Sequence, residues 1–146
     1  MDVELRCNNT RCRKPLGNAD NPRACVTTCS HIFCIDCADG AFGISLLCPS
    51  CQTSLTSKSD IVLAELNPPE DYKSSVLAGL RPDIIADVCQ RALSFWTYQV
   101  AQELAYQEAV QKMQESQRNR MEEQASVAIT QANSELGRKS SRGPAL

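Results

Sequence analysis

Eight side chains able to bind a metal crowd the first 51 residues: Cys7, Cys12, Cys29, His31, Cys34, Cys37, Cys48 and Cys51, in the series C-x4-C-x16-C-x-H-x2-C-x2-C-x10-C-x2-C. Thiolates two residues apart on a turn can both reach one ion at about 2.3 Å, and an imidazole nitrogen reaches it at about 2.0 Å. Eight donors make two closed tetrahedra with no open coordination position, so the expected cofactor is two structural zinc ions. A disulfide framework is the competing use of nine cysteines. The odd count and the absence of an apolar signal segment at Met1-Asp2-Val3-Glu4 favour a reducing compartment and metal instead. Paired CxxC spacings carry the same message.

The order of the donors narrows the class. Histidine stands fourth of the eight, as in a RING finger, whereas a PHD finger places it fifth. The resemblance to RING domains implies an interleaved cross-brace. Cys7, Cys12, Cys34 and Cys37 then hold one ion, and Cys29, His31, Cys48 and Cys51 hold the other. Cys25 competes for the third donor position, but Cys29 gives the tight C-x-H hairpin that RING domains have. Cys25 is then a spare thiol. Cys89, far downstream in a helical pattern, reads as a small buried apolar side chain. About 45 residues is near the size at which a hydrophobic core alone fails, and metal supplies the missing stability.

Apolar mass near the ligands is scarce. Ile32 and Phe33 fall between the fourth and fifth donors, where a RING buries an aromatic, and Phe42, Ile44, Leu46 and Leu47 precede Cys48. Some of that run is expected to fill the small core. In RING ligases one bulky residue of the run and a proline between the last two donors contact the conjugating enzyme. Phe42 and Pro49 hold those places, with core packing as the competing reading of Phe42. The residue after the last donor often clamps the charged conjugate through Arg or Lys. Here it is Gln52, which can donate through its amide but has no charge. Arg11 occupies the first ligand loop, where ligases often carry an aliphatic contact.

The expected fold is a small α+β zinc-stabilised RING over residues 1–60, a linker with a short helix over 61–81, a long helix over 82–136 and a disordered tail over 137–146. Asn67-Pro68-Pro69 breaks the chain, helical character starts at Glu70 and pauses near Gly79, and Pro82 suits a first helical position. From Pro82 to about Leu136 the chain is rich in Ala, Gln, Glu and Leu and almost free of Gly and Pro. Ile85, Val88, Ala92, Phe95, Trp96, Val100, Leu104, Val110 and Met113 recur at helical spacing. That stripe over 85–113 needs a partner: a second copy in a coiled coil, or the RING itself. The net charge is -2, and residues 1–60 balance six basic against six acidic side chains, which disfavours direct nucleic-acid binding. No apolar run approaches the roughly 20 residues that a membrane helix needs.

Val26-Thr27-Thr28-Cys29-Ser30-His31-Ile32-Phe33-Cys34, Asp60-Ile61-Val62 and Tyr72-Lys73-Ser74-Ser75-Val76-Leu77-Ala78-Gly79-Leu80-Arg81-Pro82 resemble the cyclin-B-interacting protein family of meiotic RING ligases. Arg91-Ala92-Leu93-Ser94-Phe95-Trp96-Thr97-Tyr98-Gln99-Val100 continues the likeness. The resemblance implies a SUMO or ubiquitin ligase in the nucleus, on meiotic chromosomes and among their proteins, that promotes crossover recombination. It also implies a conjugating enzyme as partner and catalysis without a covalent catalytic residue. Two other classes compete: a zinc-stabilised adaptor that assembles through its helix, and a nucleic-acid-binding zinc module.

Overall fold

A computed structural model of the chain describes residues 3–141, with side chains described through residue 138. The chain divides into two compact units, residues 1–103 and 104–146.

In the first unit, β1 (Arg23–Thr27) and β2 (Ile32–Phe33) form a hairpin around Thr28-Cys29-Ser30. Thr28, Cys29, Ser30 and His31 are the four residues that turn the chain there, with Ser30 in the left-handed region at φ 69°. Its N–H donates to Thr27 O at 3.1 Å. Cys25 faces Phe33 and Val26 faces Ile32 across this antiparallel pair. β3 (Ile61–Glu65) adds to the other edge of β1, giving the order β2-β1-β3. Its register runs from Arg23 opposite Glu65 to Thr27 opposite Ile61, and the Arg23–Glu65 ion pair at 3.1 Å marks the outer end. Residues 61–65, expected at the head of the linker, are thus part of the sheet.

Helix α1 (Ile35–Phe42) follows β2 directly, with Cys34 as its N-cap. A buried core gathers beneath the sheet and α1: Leu16, Ala24, Ile32, Phe33, Ala38 and Leu55, with the thiols of Cys7, Cys34 and Cys48. Phe33 and Ile32 are fully buried, as the sequence suggested for the stretch between donors. The run before Cys48 behaves differently. Ile44, Leu46 and Leu47 lie exposed, and Leu55 fills the core. The reason is local: Leu55 N–H donates to Leu46 O at 2.7 Å and Leu47 bridges Ser54, so the chain doubles back around the last zinc turn and brings Leu55 inward.

Helix α2 (Glu70–Ser75) is a short surface turn, and Gly79 at φ 89° reverses the chain before α3 (Pro82–Ser141) begins. Proline at the first position lacks only an N–H that would have no helical partner, and Asp83 in the first turn suits the helix dipole. Within the first unit, α3 packs on the RING through Phe95, which touches the core cluster, and through Gln99 and Glu103, both buried. Leu93 and Trp96 remain exposed at 64% and 42%. The fold-back reading of the helix thus holds for one face, and that face continues from an aromatic anchor, Phe95, into polar side chains where the sequence led one to expect apolar ones throughout.

The second unit is the remainder of α3. Leu104, Met113, Met121, Val127, Ile129 and Leu136 are exposed along it. The helix passes Gly137, where the tail was expected, and reaches Ser141; residues 142–146 of that tail lie outside the described residues. Among the described residues no helix is long and apolar enough to cross a membrane.

Candidate metal centre and conjugating-enzyme surface

Two groups of donors converge. Cys7, Cys12, Cys34 and Cys37 form one and Cys29, His31, Cys48 and Cys51 the other, with all four donor atoms of each group within 4.8 Å of one another. The pairing interleaves along the chain, so each cluster ties together segments far apart in sequence. Geometry tests the fit. A tetrahedron with metal–sulfur bonds of about 2.3 Å separates its sulfurs by about 3.8 Å, and a nitrogen at about 2.0 Å lies about 3.5 Å from each sulfur. The Sγ atoms of Cys12 and Cys34 are 3.8 Å apart. His31 Nδ1 is 3.6 Å from Cys29 Sγ and 3.5 Å from Cys48 Sγ. Both donor sets therefore fit zinc, four thiolates in the first and three thiolates with one imidazole in the second.

The backbone shows how the sequence makes these turns. Arg13, Ser30 and Gln52 are the described non-glycine residues at positive φ, at 58°, 69° and 63°. Each directly follows a donor: Cys12, Cys29 and Cys51. A left-handed side-chain-bearing residue costs of order 1 kcal/mol. Three such turns persist because the surrounding cluster fixes the conformation.

Hydrogen bonds to sulfur prepare the thiols for ionisation. Cys34 N–H donates to Cys7 Sγ at 3.3 Å, Cys37 N–H to Cys34 Sγ at 3.4 Å and Asn9 Nδ2 to Cys37 Sγ at 3.3 Å. Burial works against ionisation. It pushes the Cys7 thiol up to about 12 and that of Cys48 up to about 11. The Thr53 hydroxyl, 2.9 Å from Cys51 Sγ, helps bring that thiol down to about 7. Burial also lowers the pKa of His31, keeping the imidazole neutral as ligation requires. A dication supplies the charge that buried thiolates need.

The remaining cysteines stand apart from both clusters. Cys25 is half-buried in β1, its thiol pushed up by burial and then by the Asp39 carboxylate. Cys89 is exposed on α3, where the sequence suggested a buried position.

Of the expected conjugating-enzyme residues, Pro49 and Gln52 adjoin donors of the second cluster in the chain, and Phe42 ends α1. Phe42 is half-buried, its ring edge-on to Phe33 at 6.1 Å between centroids, so much of its surface serves the core. Pro49 and Gln52 are exposed. Sequence reasoning did not single out Ile44, which is 90% exposed, or its exposed neighbours Leu46 and Leu47 at 47% and 43%. Their position beside Cys48 was visible in the sequence, but only the burial of Leu55 frees them from the core. Arg11 is exposed in the first ligand loop.

Comparisons with known proteins agree with this geometry. A family model described as a zinc-RING finger domain matches residues 6–53. A Mus musculus protein named E3 ubiquitin-protein ligase CCNB1IP1 is 46% identical over 133 residues, which make up 90% of this chain and 47% of that protein. The Homo sapiens protein of the same name is 52% identical over 105 residues, 71% of this chain and 36% of that one. An Arabidopsis thaliana homologue is 31% identical over 102 residues, 70% of this chain and 31% of its own length. No solved structure matches. The chain spans about a third to a half of the length of these relatives, and the likeness runs through the zinc clusters into α3. A cross-braced RING followed by that helix, at 46% and 52% identity to the mouse and human proteins, places the chain in the cyclin-B-interacting protein family of RING-finger proteins.

Proposed function

We propose that the chain is a RING-type E3 ligase that brings a loaded conjugating enzyme to a substrate lysine, with ubiquitin the first modifier to test and SUMO the second. The observation that carries this reading is the exposed apolar patch of Ile44, Leu46 and Leu47 beside Pro49, next to Cys48 of the second donor cluster. Large apolar side chains left in water around a metal-fixed turn suit a protein partner. The names of the mouse and human relatives support the same activity. The gain in rate is positional: the RING restricts the flexible thioester-linked conjugate so that a lysine amine can attack it, and no side chain here forms a covalent bond.

The setting proposed is the nucleus, on meiotic chromosomes and among their proteins, where the ligase would promote crossover recombination. Support for this comes from the motif resemblance between residues 26 and 100. Self-association through residues 85–113 is proposed as well, supported by exposed Leu93, Trp96, Leu104 and Met113 along α3. The test is an autoconjugation assay with purified ubiquitin and SUMO cascades. Modifier chains that depend on His31 support ligation. Silence in both cascades, with two zinc ions bound, favours a zinc-stabilised adaptor instead. Gln52, exposed and uncharged where ligases place a cation, and Arg11, exposed in the first ligand loop where ligases often carry an aliphatic contact, favour that second reading.

A further inference from the structure

The polar face of α3 that lies on the RING is unusual in what it touches. Tyr98 places its hydroxyl 3.3 Å from His31 Nε2, with the two rings edge-on at 5.7 Å. The other ring nitrogen, Nδ1, is the one that faces the Cys29 and Cys48 sulfurs. Metal on Nδ1 leaves the proton on Nε2, so that N–H donates to the tyrosine oxygen. At the next residue, Gln99 Nε2 donates to Ser30 O at 2.7 Å, and Gln99 Oε1 accepts from Asn8 Nδ2 at 2.9 Å. One turn on from Gln99, Glu103 pairs with Arg13 and lies 4.0 Å from Arg6 Nε.

These partners are not scattered. Arg6 and Asn8 flank Cys7, Arg13 follows Cys12, and Ser30 sits between Cys29 and His31. Asn8 is itself a link, since its Oδ1 accepts the Ile32 N–H at 2.8 Å. Gln99 and Glu103 are only 6% and 8% exposed. A buried amide or carboxylate that loses its partners costs several times more than the bond contributes when made. The face is therefore stable on the RING only while the donor loops keep this conformation.

We propose that residues 95–103 of α3 brace the loops that carry the donors of both zinc sites, with Tyr98 the positioning residue for His31, so that zinc binding and helix docking form one coupled equilibrium. Groups that orient a metal-bound histidine set its tautomer and its retention of metal. Coupling of this kind is reciprocal: zinc strengthens docking by the factor by which docking strengthens zinc. The inference rests on the zinc clusters and stands whether or not the chain ligates ubiquitin.

The test uses the full chain loaded with cadmium-113, whose two sites give separate resonances for four sulfurs and for three sulfurs with one nitrogen. Tyr98→Phe keeps the ring and removes the hydroxyl. The expected result is a shifted three-sulfur resonance, an unmoved four-sulfur resonance, and loss of one of two zinc ions to a chromophoric chelator about tenfold faster. Glu103→Gln should instead hasten release from the four-sulfur site. In a His31→Cys background, where no tautomer needs fixing, Tyr98→Phe should change neither release rate. Amides of residues 95–103 should lose hydrogen-exchange protection when metal is stripped. Unchanged release from Tyr98→Phe, equal acceleration at both sites, an effect that survives in the His31→Cys background, or helix amides that stay protected without metal would each overturn the proposal.

Discussion

Ile44 separates folding from partner binding more cleanly than any other residue of the RING. It is 90% exposed, so Ile44→Ala removes almost nothing from the core and should change stability by no more than about 0.5 kcal/mol. If the patch is where the conjugating enzyme sits, burying that side chain contributes about 1.5–3 kcal/mol to the complex, and losing it weakens binding by about 10- to 100-fold. Phe42 is the contrast. Its ring packs edge-on against Phe33 at 6.1 Å, an arrangement worth about 0.5–1.5 kcal/mol beyond area burial. Removal of a fully buried phenylalanine costs about 3–5 kcal/mol, so half-buried Phe42→Ala should cost about 2 kcal/mol of stability. The assay pairs calorimetric titration of a conjugating-enzyme panel with thermal melts of the zinc-loaded variants. Ile44→Ala should bind weakly and melt like the parent; Phe42→Ala should melt lower. Parental affinity in Ile44→Ala across the panel, or a lowered melting temperature in that variant, would refute the reasoning.

Elemental analysis should find two zinc ions per chain, still two after Cys25→Ser and fewer after Cys29→Ser; one ion in the parent contradicts the donor assignment. Acid should weaken zinc binding. Burial raises Cys7 to about 12 and Cys48 to about 11, so the neutral thiols favour the metal-free fold below about pH 9 and cease to as pH climbs through 11 to 12. Zinc needs the thiolates and must expel those protons, so affinity should fall at least about tenfold per pH unit from pH 8 to 6, and a flat profile in a chelator competition counts against it. Light scattering at tens of micromolar should show a dimer or larger species that Trp96→Glu disperses; a helical monomer in the parent refutes self-association. Gln52→Arg should raise conjugation, because a guanidinium donates charged hydrogen bonds where the amide does not; no rise in the rate of chain formation counts against the clamp.

How much of this could be read beforehand follows from how local each signal is. The donor series was legible because metal fixes residue type and spacing within a few residues, and the order of ligands carried the interleaving through the resemblance to RING domains. Pro82 and the Ala- and Gln-rich stretch after it announced α3 for the same reason. The core was harder. Leu46 and Leu47 looked as good as Leu55 in sequence, and only the doubling back after Cys51 decides between them. Hardest were Gln99 and Glu103. On a helix they look like solvated side chains, and what buries them lies about ninety residues earlier, at Asn8 and Arg13. One signal was available: Phe95, Gln99 and Glu103 lie four apart on one face, an aromatic anchor continued by two polar residues. The left-handed turns at Arg13, Ser30 and Gln52 lacked the usual signal, since none is glycine or asparagine; what they share in sequence is the place directly after a donor.

The central claim is that this zinc-built RING accelerates transfer of a modifier from its conjugating enzyme. Single-turnover discharge of a ubiquitin-loaded conjugating enzyme onto free lysine tests it without any need for the natural substrate. The purified chain with two zinc ions bound should speed discharge by at least one enzyme of a panel, and the acceleration should vanish in Ile44→Ala while zinc content and fold are kept. Discharge at the background rate with every enzyme of the panel, from protein carrying both ions, would contradict it.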